Sequence, residues 1–473
     1  MSISLSRISF EHHRTALGIH ETEPRVSWRF EGNVIDWEQQ SYDLEVDRDD
    51  YGIPKLYNVD SGDSLYVPWP DQPLASSESA RVRVRAHGAQ GQPSTDWSSW
   101  TSVEAGLLNA SAWSDAIPIA ADRDTERDAP KRPVHFRKDF AIEGNITSAR
   151  LYITALGVYE AEINGQRVGD FVLAPGWQSY NHRHVYDTYD VTEHMSSGEN
   201  AIGVLVGEGW YAGRLGFGGG TRNVYGDTLG VQALLVATTD DGSKHAVATG
   251  KDWHASLGPI ITSEIYDGEK YDARLELDEG WSSAGFDEGE WMGVIELPPV
   301  KGDLVPADGP PARKIEEIRP VSITTSPSGK TIFDFGQNLV GWLRLNVSGS
   351  EGTKITLHHA EVLEDGELSL RPLRNATAED VLVLADDQPK IWEPRFTFHG
   401  FRYAQIDGLD ASSLDLRNIT AIVVHSDMER TGWFECSNQL LNNFHQNVLW
   451  SMKWVASILI AKHVADTFAG VTS

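Results

Sequence analysis

The stretch Arg81-Val-Arg-Val-Arg-Ala86 alternates charged and apolar residues with a period of two, and Ser41-Tyr-Asp-Leu-Glu-Val46 does the same. In an extended chain successive side chains point to opposite faces, so each run lays one face on a core and the other in water. A helix would scatter the same residues around its circumference. The reading is strand, and it recurs along the chain. Ser148-Ala-Arg-Leu-Tyr-Ile-Thr154, Asn200-Ala-Ile-Gly-Val-Leu-Val206, Gly230-Val-Gln-Ala-Leu-Leu-Val-Ala237, Leu343-Arg-Leu-Asn-Val347, Lys354-Ile-Thr-Leu-His-His359 and Phe401-Arg-Tyr-Ala-Gln-Ile406 are further short runs. Gly, Pro, Asn and Asp punctuate them, as in a β-rich protein. Nearly everything before residue 425 reads this way.

Breaks in the pattern mark domains. Residues 1–110, with Trp28, Trp97 and Trp100 flanking the alternating runs, predict an immunoglobulin-like or fibronectin III-like sandwich. The polar stretch from Asp122 to Pro133 closes a linker over 111–133. A second sandwich follows over 134–300, and prolines between Pro306 and Pro311 precede a third β block over 312–424. Beyond 425 the period changes: Leu441, Phe444, Val448 and Met452 recur near helical spacing behind Ser437, the expected N-cap.

Composition narrows the partners. At roughly 100–200 residues per domain, a chain of this length holds about three domains. With 40 Lys+Arg against 69 Asp+Glu the net charge is −29. Such a surface repels phosphate backbones and anionic lipid, so neither nucleic acid nor membrane is an expected partner. No apolar run is long enough to span a bilayer. The first ten residues have no apolar leader core, so a cytoplasmic location is expected. Cys436 is the single cysteine, which excludes an intrachain disulfide and a multi-cysteine zinc site. The 16 tryptophans suit sugar faces, but sandwich cores also consume indole. The glycines between Gly207 and Gly220 lack the Gly-Lys-Ser/Thr ending of a phosphate loop.

Several stretches, taken together, carry a resemblance. They are Ile163-Asn-Gly-Gln-Arg-Val-Gly169, Leu173-Ala-Pro-Gly-Trp177, Tyr186-Asp-Thr-Tyr-Asp-Val191, Gly207-Glu-Gly-Trp-Tyr211 and Tyr266-Asp-Gly-Glu-Lys-Tyr-Asp-Ala-Arg274. Further along stand Phe333-Asp-Phe-Gly-Gln-Asn338, Gly341-Trp342, Phe396-Thr-Phe-His-Gly-Phe-Arg-Tyr403 and the junction from His425 to Asn438. In order and spacing these resemble the N-terminal half of the bacterial and fungal α-L-rhamnosidases of glycoside hydrolase family 78. The resemblance covers roughly residues 10 to 453. It implies a mainly β class: tandem β-sandwich domains, immunoglobulin/fibronectin III-like then jelly-roll-like, the third block concanavalin-like. The first helix of a truncated (α/α)6 barrel is then expected over 425–473. The family removes terminal non-reducing α-L-rhamnose from glycosides with inversion, using two carboxyl groups. The resemblance places both in the barrel, so this chain is expected to hold the accessory half, to be inactive alone and to offer no catalytic residue. A non-catalytic rhamnose- or carbohydrate-binding protein, and a rhamnose-removing polysaccharide lyase, are the alternatives. The oligomeric state is not legible.

The resemblance implies rhamnose-containing glycosides as partners and assigns substrate-binding candidates. Trp210 offers a face for stacking, with Asn223 and Tyr225 nearby in the loop; Asp267 and Glu269 offer carboxylates to sugar hydroxyls. No cofactor is required, and calcium is the candidate ion. It needs six to eight oxygens, for which Asn181, Asn223 and Asp227 are candidates, although Asn181-His182 stands where related modules carry Asp-Asn. The alternative is that Asn223 and Asp227 shape a turn and that Asp267-Gly268 is a turn too. His358 and His359 project to opposite faces of a strand and do not jointly bind one metal.

Overall fold

A computed structural model describes residues 3–48, 52–216 and 218–456. The chain is mainly β and divides into two compact units: 1–114 with 185–189 and 303–308, and the remainder.

In the first unit Gln39–Arg48 and Ser79–Gly88 pair antiparallel at the centre of a five-stranded sheet, flanked by Lys55–Val59 on one side and Thr101–Ala105 then Leu17–Ile19 on the other. Both alternating runs lie in these central strands. Tyr42, Leu44, Val46, Val82 and Val84 point inward, where they meet Trp28 and Phe10 of the facing pair Ile3–Phe10 and Val26–Gly32. Burying apolar area at about 25 cal/mol per Å² drives this packing.

The second unit begins with a sandwich of two sheets. One runs in the order Gln166–Arg167, Val158–Ile163, Gly198–Gly207, Val134–Ile142 and His254–Leu257. The other joins Val294–Glu296, Ile119–Ala121, Gly230–Thr239 and Ile146–Leu156. The stretch 111–133, read as a linker, thus supplies a strand, and Lys131 within it is buried. A ten-stranded sheet follows, running Ile260–Glu264, Gly268–Asp272, Glu379–Val383, Lys354–Ala360, His399–Asp407, Thr331–Val347, Ile419–Ser426 and Ala312–Ile318, with Ser322–Thr325 and Lys390–Trp392 paired to Thr331–Val347. The hairpin 260–272 therefore leaves the sandwich that precedes it and joins this sheet, with Lys270 to Asp272 running parallel to Val381 to Val383. Val158, Leu205 and Trp210 of the sandwich pack with Trp342, Phe396 and Ile422 of the sheet in one continuous core.

The helix spans Gln439–Ala456. Its cap lies one residue later than expected: Asn438, not Ser437, accepts from the N–H of Leu440 through Oδ1 at 3.0 Å. Trp450 packs on the ten-stranded sheet, whereas Leu441, Phe444, Val448 and Met452, the residues that set the periodicity, face outward.

Candidate functional site

Three loops of the second unit converge around buried carboxyl groups. Glu208 directly follows the strand Gly198–Gly207 and is completely buried. It accepts from the backbone N–H of Lys131 and from Arg222 Nη1 at 2.9 and 3.1 Å. Burial pushes it up to about 7 against the opposing pull of Arg222. Glu264 ends the strand Ile260–Glu264. Its Oε2 accepts from the N–H groups of Tyr266 and Asp267 at 2.8 and 3.0 Å, and Oε1 from that of Arg214 at 2.9 Å. Burial, with Asp267 beside it, also raises Glu264.

The Asp267-Gly268 turn has the form its sequence favours. Gly268 has φ 100°, and a Cβ there would stand 2.0 Å from the carbonyl oxygen of Glu379, so only glycine fits. Asp267 is half-buried and accepts from Arg214 Nη2 at 2.6 Å and from the N–H and hydroxyl of Thr377 at 3.2 and 3.1 Å. Asp267 is therefore a clasp between two loops, with its carboxylate engaged from within the protein.

Glu269 is fully buried, contrary to a role in meeting sugar hydroxyls. Its Oε2 accepts from Ser263 Oγ at 2.9 Å and from the N–H of Arg395 at 3.0 Å. Burial pushes it up to about 7. The alternation of the strand Gly268–Asp272 decides this: Lys270 takes the open face and Glu269 the closed one.

Trp210 is likewise enclosed, with 2 % exposure. Its ring stacks on Trp177 at 6.4 Å and 4° and touches Phe398 at 6.5 Å, so no indole face is left for a pyranose. Tyr225 is half-buried against Tyr180, ring to ring at 4.9 Å. Burial raises the phenol of Tyr180 and also that of its neighbour Tyr211.

The calcium candidates share a loop region but are poorly placed for an ion. Asn181 is exposed. Asn223 sits at φ 59° and donates through Nδ2 to the carbonyl of Arg127 at 2.6 Å; its Oδ1 is buried without a partner. Asp227, the one carboxylate of the set, has Arg127 Nε at 3.7 Å. A guanidinium beside the only anionic ligand disfavours a divalent cation there. Among the described residues, His, Cys, Asp and Glu converge at ligand distance in His12–His13–Asp308 and in His359–Asp380–His399, and Asp227 is in neither.

The motifs highlighted Gly207-Glu-Gly-Trp-Tyr211 without singling out Glu208, and Glu264 lies two residues before the stretch that begins at Tyr266. For Glu208 the available signal was an acidic residue between two glycines and apolar neighbours, where only internal hydrogen bonds make a carboxyl tolerable.

Comparison with known proteins gives this arrangement its family. Residues 5–109 match the Rha78A-like N-terminal immunoglobulin domain, 144–316 the α-L-rhamnosidase N-terminal domain, and 324–425 the bacterial α-L-rhamnosidase concanavalin-like domain. The crystal structure of the native α-L-rhamnosidase from Aspergillus terreus superimposes with a TM-score of 0.92 and 56 % identity, covering 96 % of this chain and 52 % of that one. The chain belongs to the α-L-rhamnosidase family. The Streptomyces avermitilis α-L-rhamnosidase in complex with L-rhamnose is similar with a TM-score of 0.88 and 26 % identity, over 96 % of this chain and 60 % of that one. A curated α-L-rhamnosidase of Streptomyces avermitilis is 37 % identical over 365 residues, 76 % of this chain and 34 % of the relative. The chain thus spans between a third and three fifths of the length of these α-L-rhamnosidases.

Proposed function

We propose that the protein hydrolyses terminal α-L-rhamnose from glycosides, and that the residues described here form its non-catalytic β-sandwich portion. Identity to the Aspergillus terreus enzyme supports the activity, and the relative complexed with L-rhamnose supports the sugar. One observation carries the second half: the raised carboxyls Glu208, Glu264 and Glu269 are all buried and hold backbone N–H groups of neighbouring loops. Inverting hydrolysis needs an acid and a base about 6.5–9.5 Å apart, with sugar and water between them. A carboxyl enclosed by its own loops does not reach a substrate proton.

The test is a chimera in which residues 1–438 replace the matched portion of the Aspergillus terreus enzyme. It is expected to release nitrophenol from 4-nitrophenyl α-L-rhamnoside, while this chain alone releases none above blank. Saturable turnover by the chain alone would overturn the non-catalytic assignment. A folded chimera that cleaves a different aryl glycoside instead would overturn the rhamnoside reading.

A further inference from the structure

The segment that sequence reads as a linker carries cations held without a carboxylate. Arg123 follows the strand Ile119–Ala121 and Arg132 precedes Val134–Ile142, and the loop between them brings one back to the other. Arg123 donates through Nη2 to the carbonyl oxygen of Arg132 at 2.9 Å, and Arg132 donates through Nη2 to that of Gly258 at 2.6 Å. The buried Lys131 beside them donates to the carbonyls of Glu126 and Arg127. Main-chain oxygens thus hold all three, and a carbonyl carries no net charge to offset a cation.

Elsewhere the second unit pairs its arginines. Arg313 meets Asp170 and Asp427, Arg344 meets Glu317 and Glu393, and Arg402 meets Asp334. With 69 acidic residues against 40 basic ones, a carboxylate is the partner most readily at hand. Among the described residues, Arg123 and Arg132 have none within ion-pair distance. Asp272, whose charge reaches Arg132, is closed on Arg274 at 2.7 and 2.9 Å. Asp122, Asp124, Glu126 and Asp128 of the loop are exposed, where water and salt screen them. Burial lowers the pKa of Arg123, and Arg132 beside it lowers it further. Burial lowers Arg132 too, against the pull of Asp272. Hydrogen bonds to Asp334 do the reverse at Arg402, which is held above its ordinary value.

Donors remain open on both groups. Arg132 Nε is enclosed without an acceptor, but both residues are only half-buried. Arg123 Nε and Nη1 and Arg132 Nη1 hold no acceptor and are not enclosed. Neighbouring guanidinium groups with unused N–H donors match the oxygens of a carboxylate or a phosphate. We propose that Arg123 and Arg132 bind one small oxyanion, which supplies the negative charge that no side chain of the protein brings to them. The ion is of the free phosphate type or is the carboxylate of an acidic sugar; the two share the oxygens that a guanidinium group takes. The net charge of −29 restricts the site to a single compact ion, because a polyanion would meet the acids of the same loop.

The full chain is titrated calorimetrically with inorganic phosphate and, separately, with glucuronate, at constant ionic strength in chloride. Saturable binding of about one ion per chain is expected for at least one of them, with a Kd on the order of 1 mM. Binding of phosphate alone supports a tetrahedral ion, binding of glucuronate alone a sugar carboxylate, and binding of both a general oxyanion site. Arg123→Gln is expected to weaken binding at least tenfold, and Arg417→Gln, at an exposed ion pair with Asp415, to leave it unchanged. No saturable heat with either probe up to about 20 mM would overturn the proposal, as would equal binding by the wild type and Arg123→Gln. Should Arg123→Gln fail to fold, labelling of the wild-type chain with phenylglyoxal, mapped by mass spectrometry, decides. Protection of Arg123 and Arg132 by the bound probe, with Arg417 still modified, supports the site; labelling unchanged by either probe contradicts it.

Discussion

In the first unit Asp43, Glu45 and Asp47 stand directly opposite Arg85, Arg83 and Arg81 across two neighbouring strands. Their ion pairs close at 2.5 to 2.6 Å on the outward face, and Trp97 and Trp100 lie under the guanidinium groups at 4.6 to 5.1 Å. In the second unit Glu208, Glu264, Glu269 and Arg137 are drawn inside, and these three carboxyls are pushed up rather than down. Burial raises Asp43 as well, but Arg85, Asn58 and His87 outweigh it and leave it below the ordinary range. The same residue types thus form a cross-strand ladder of ion pairs in one place and fasten loops through backbone N–H groups in the other. The difference is which internal partners replace the water each charge surrenders: facing guanidinium groups in the ladder, mostly neutral backbone N–H groups around the enclosed carboxyls.

The comparison can be broken first at Arg137, which is fully buried. It donates to the carbonyls of Trp281 and Ser283 at 2.7 and 2.8 Å and to Asp139 at 2.6 Å, and it also meets Glu288. Arg137→Met strands those acceptors, so a loss of about 3–5 kcal/mol is expected in guanidinium unfolding of the second unit. A loss no larger than that of a surface pair would erase the contrast. Arg83 sharpens it from the other side. It pairs with Glu45 and lies over both Trp97 and Trp100, yet is 31 % exposed. Arg83→Ala is expected to remove only about 1 kcal/mol, part of it lost again in high salt.

Sequence reading reached the ladder and stopped short of the fasteners, for a physical reason. Period-two alternation states which face of a strand is wet, so Arg81 to Ala86 could be placed without knowing any neighbour. The same rule put His358 and His359 on opposite faces, and His358 indeed turns to Glu379 and Asp407 while His359 is enclosed. It could not show that His359 meets Asp380 and His399, because those contacts depend on strand order. Trp210 was misread for a related reason: an indole in a glycine-rich loop looks available until Trp177 and Phe398 arrive from elsewhere. Glu269 followed, since the hairpin bearing it docks on a strand more than a hundred residues away.

The central claim is that the buried Glu208, Glu264 and Glu269 of the second unit are structural groups, and that burial raises all three above the ordinary carboxyl range. Glu269 tests it most directly. Its pKa in the folded chain, about 7, lies above the ordinary 4.5, so its contribution to stability is complete below pH 4.5 and is lost as pH rises through 7. Glu269→Gln does not titrate. The difference in unfolding free energy between variant and wild type, followed from pH 4.5 to 8, is therefore expected to move in the variant's favour by on the order of 2 kcal/mol. A difference that stays flat, or moves toward the wild type, would contradict the account.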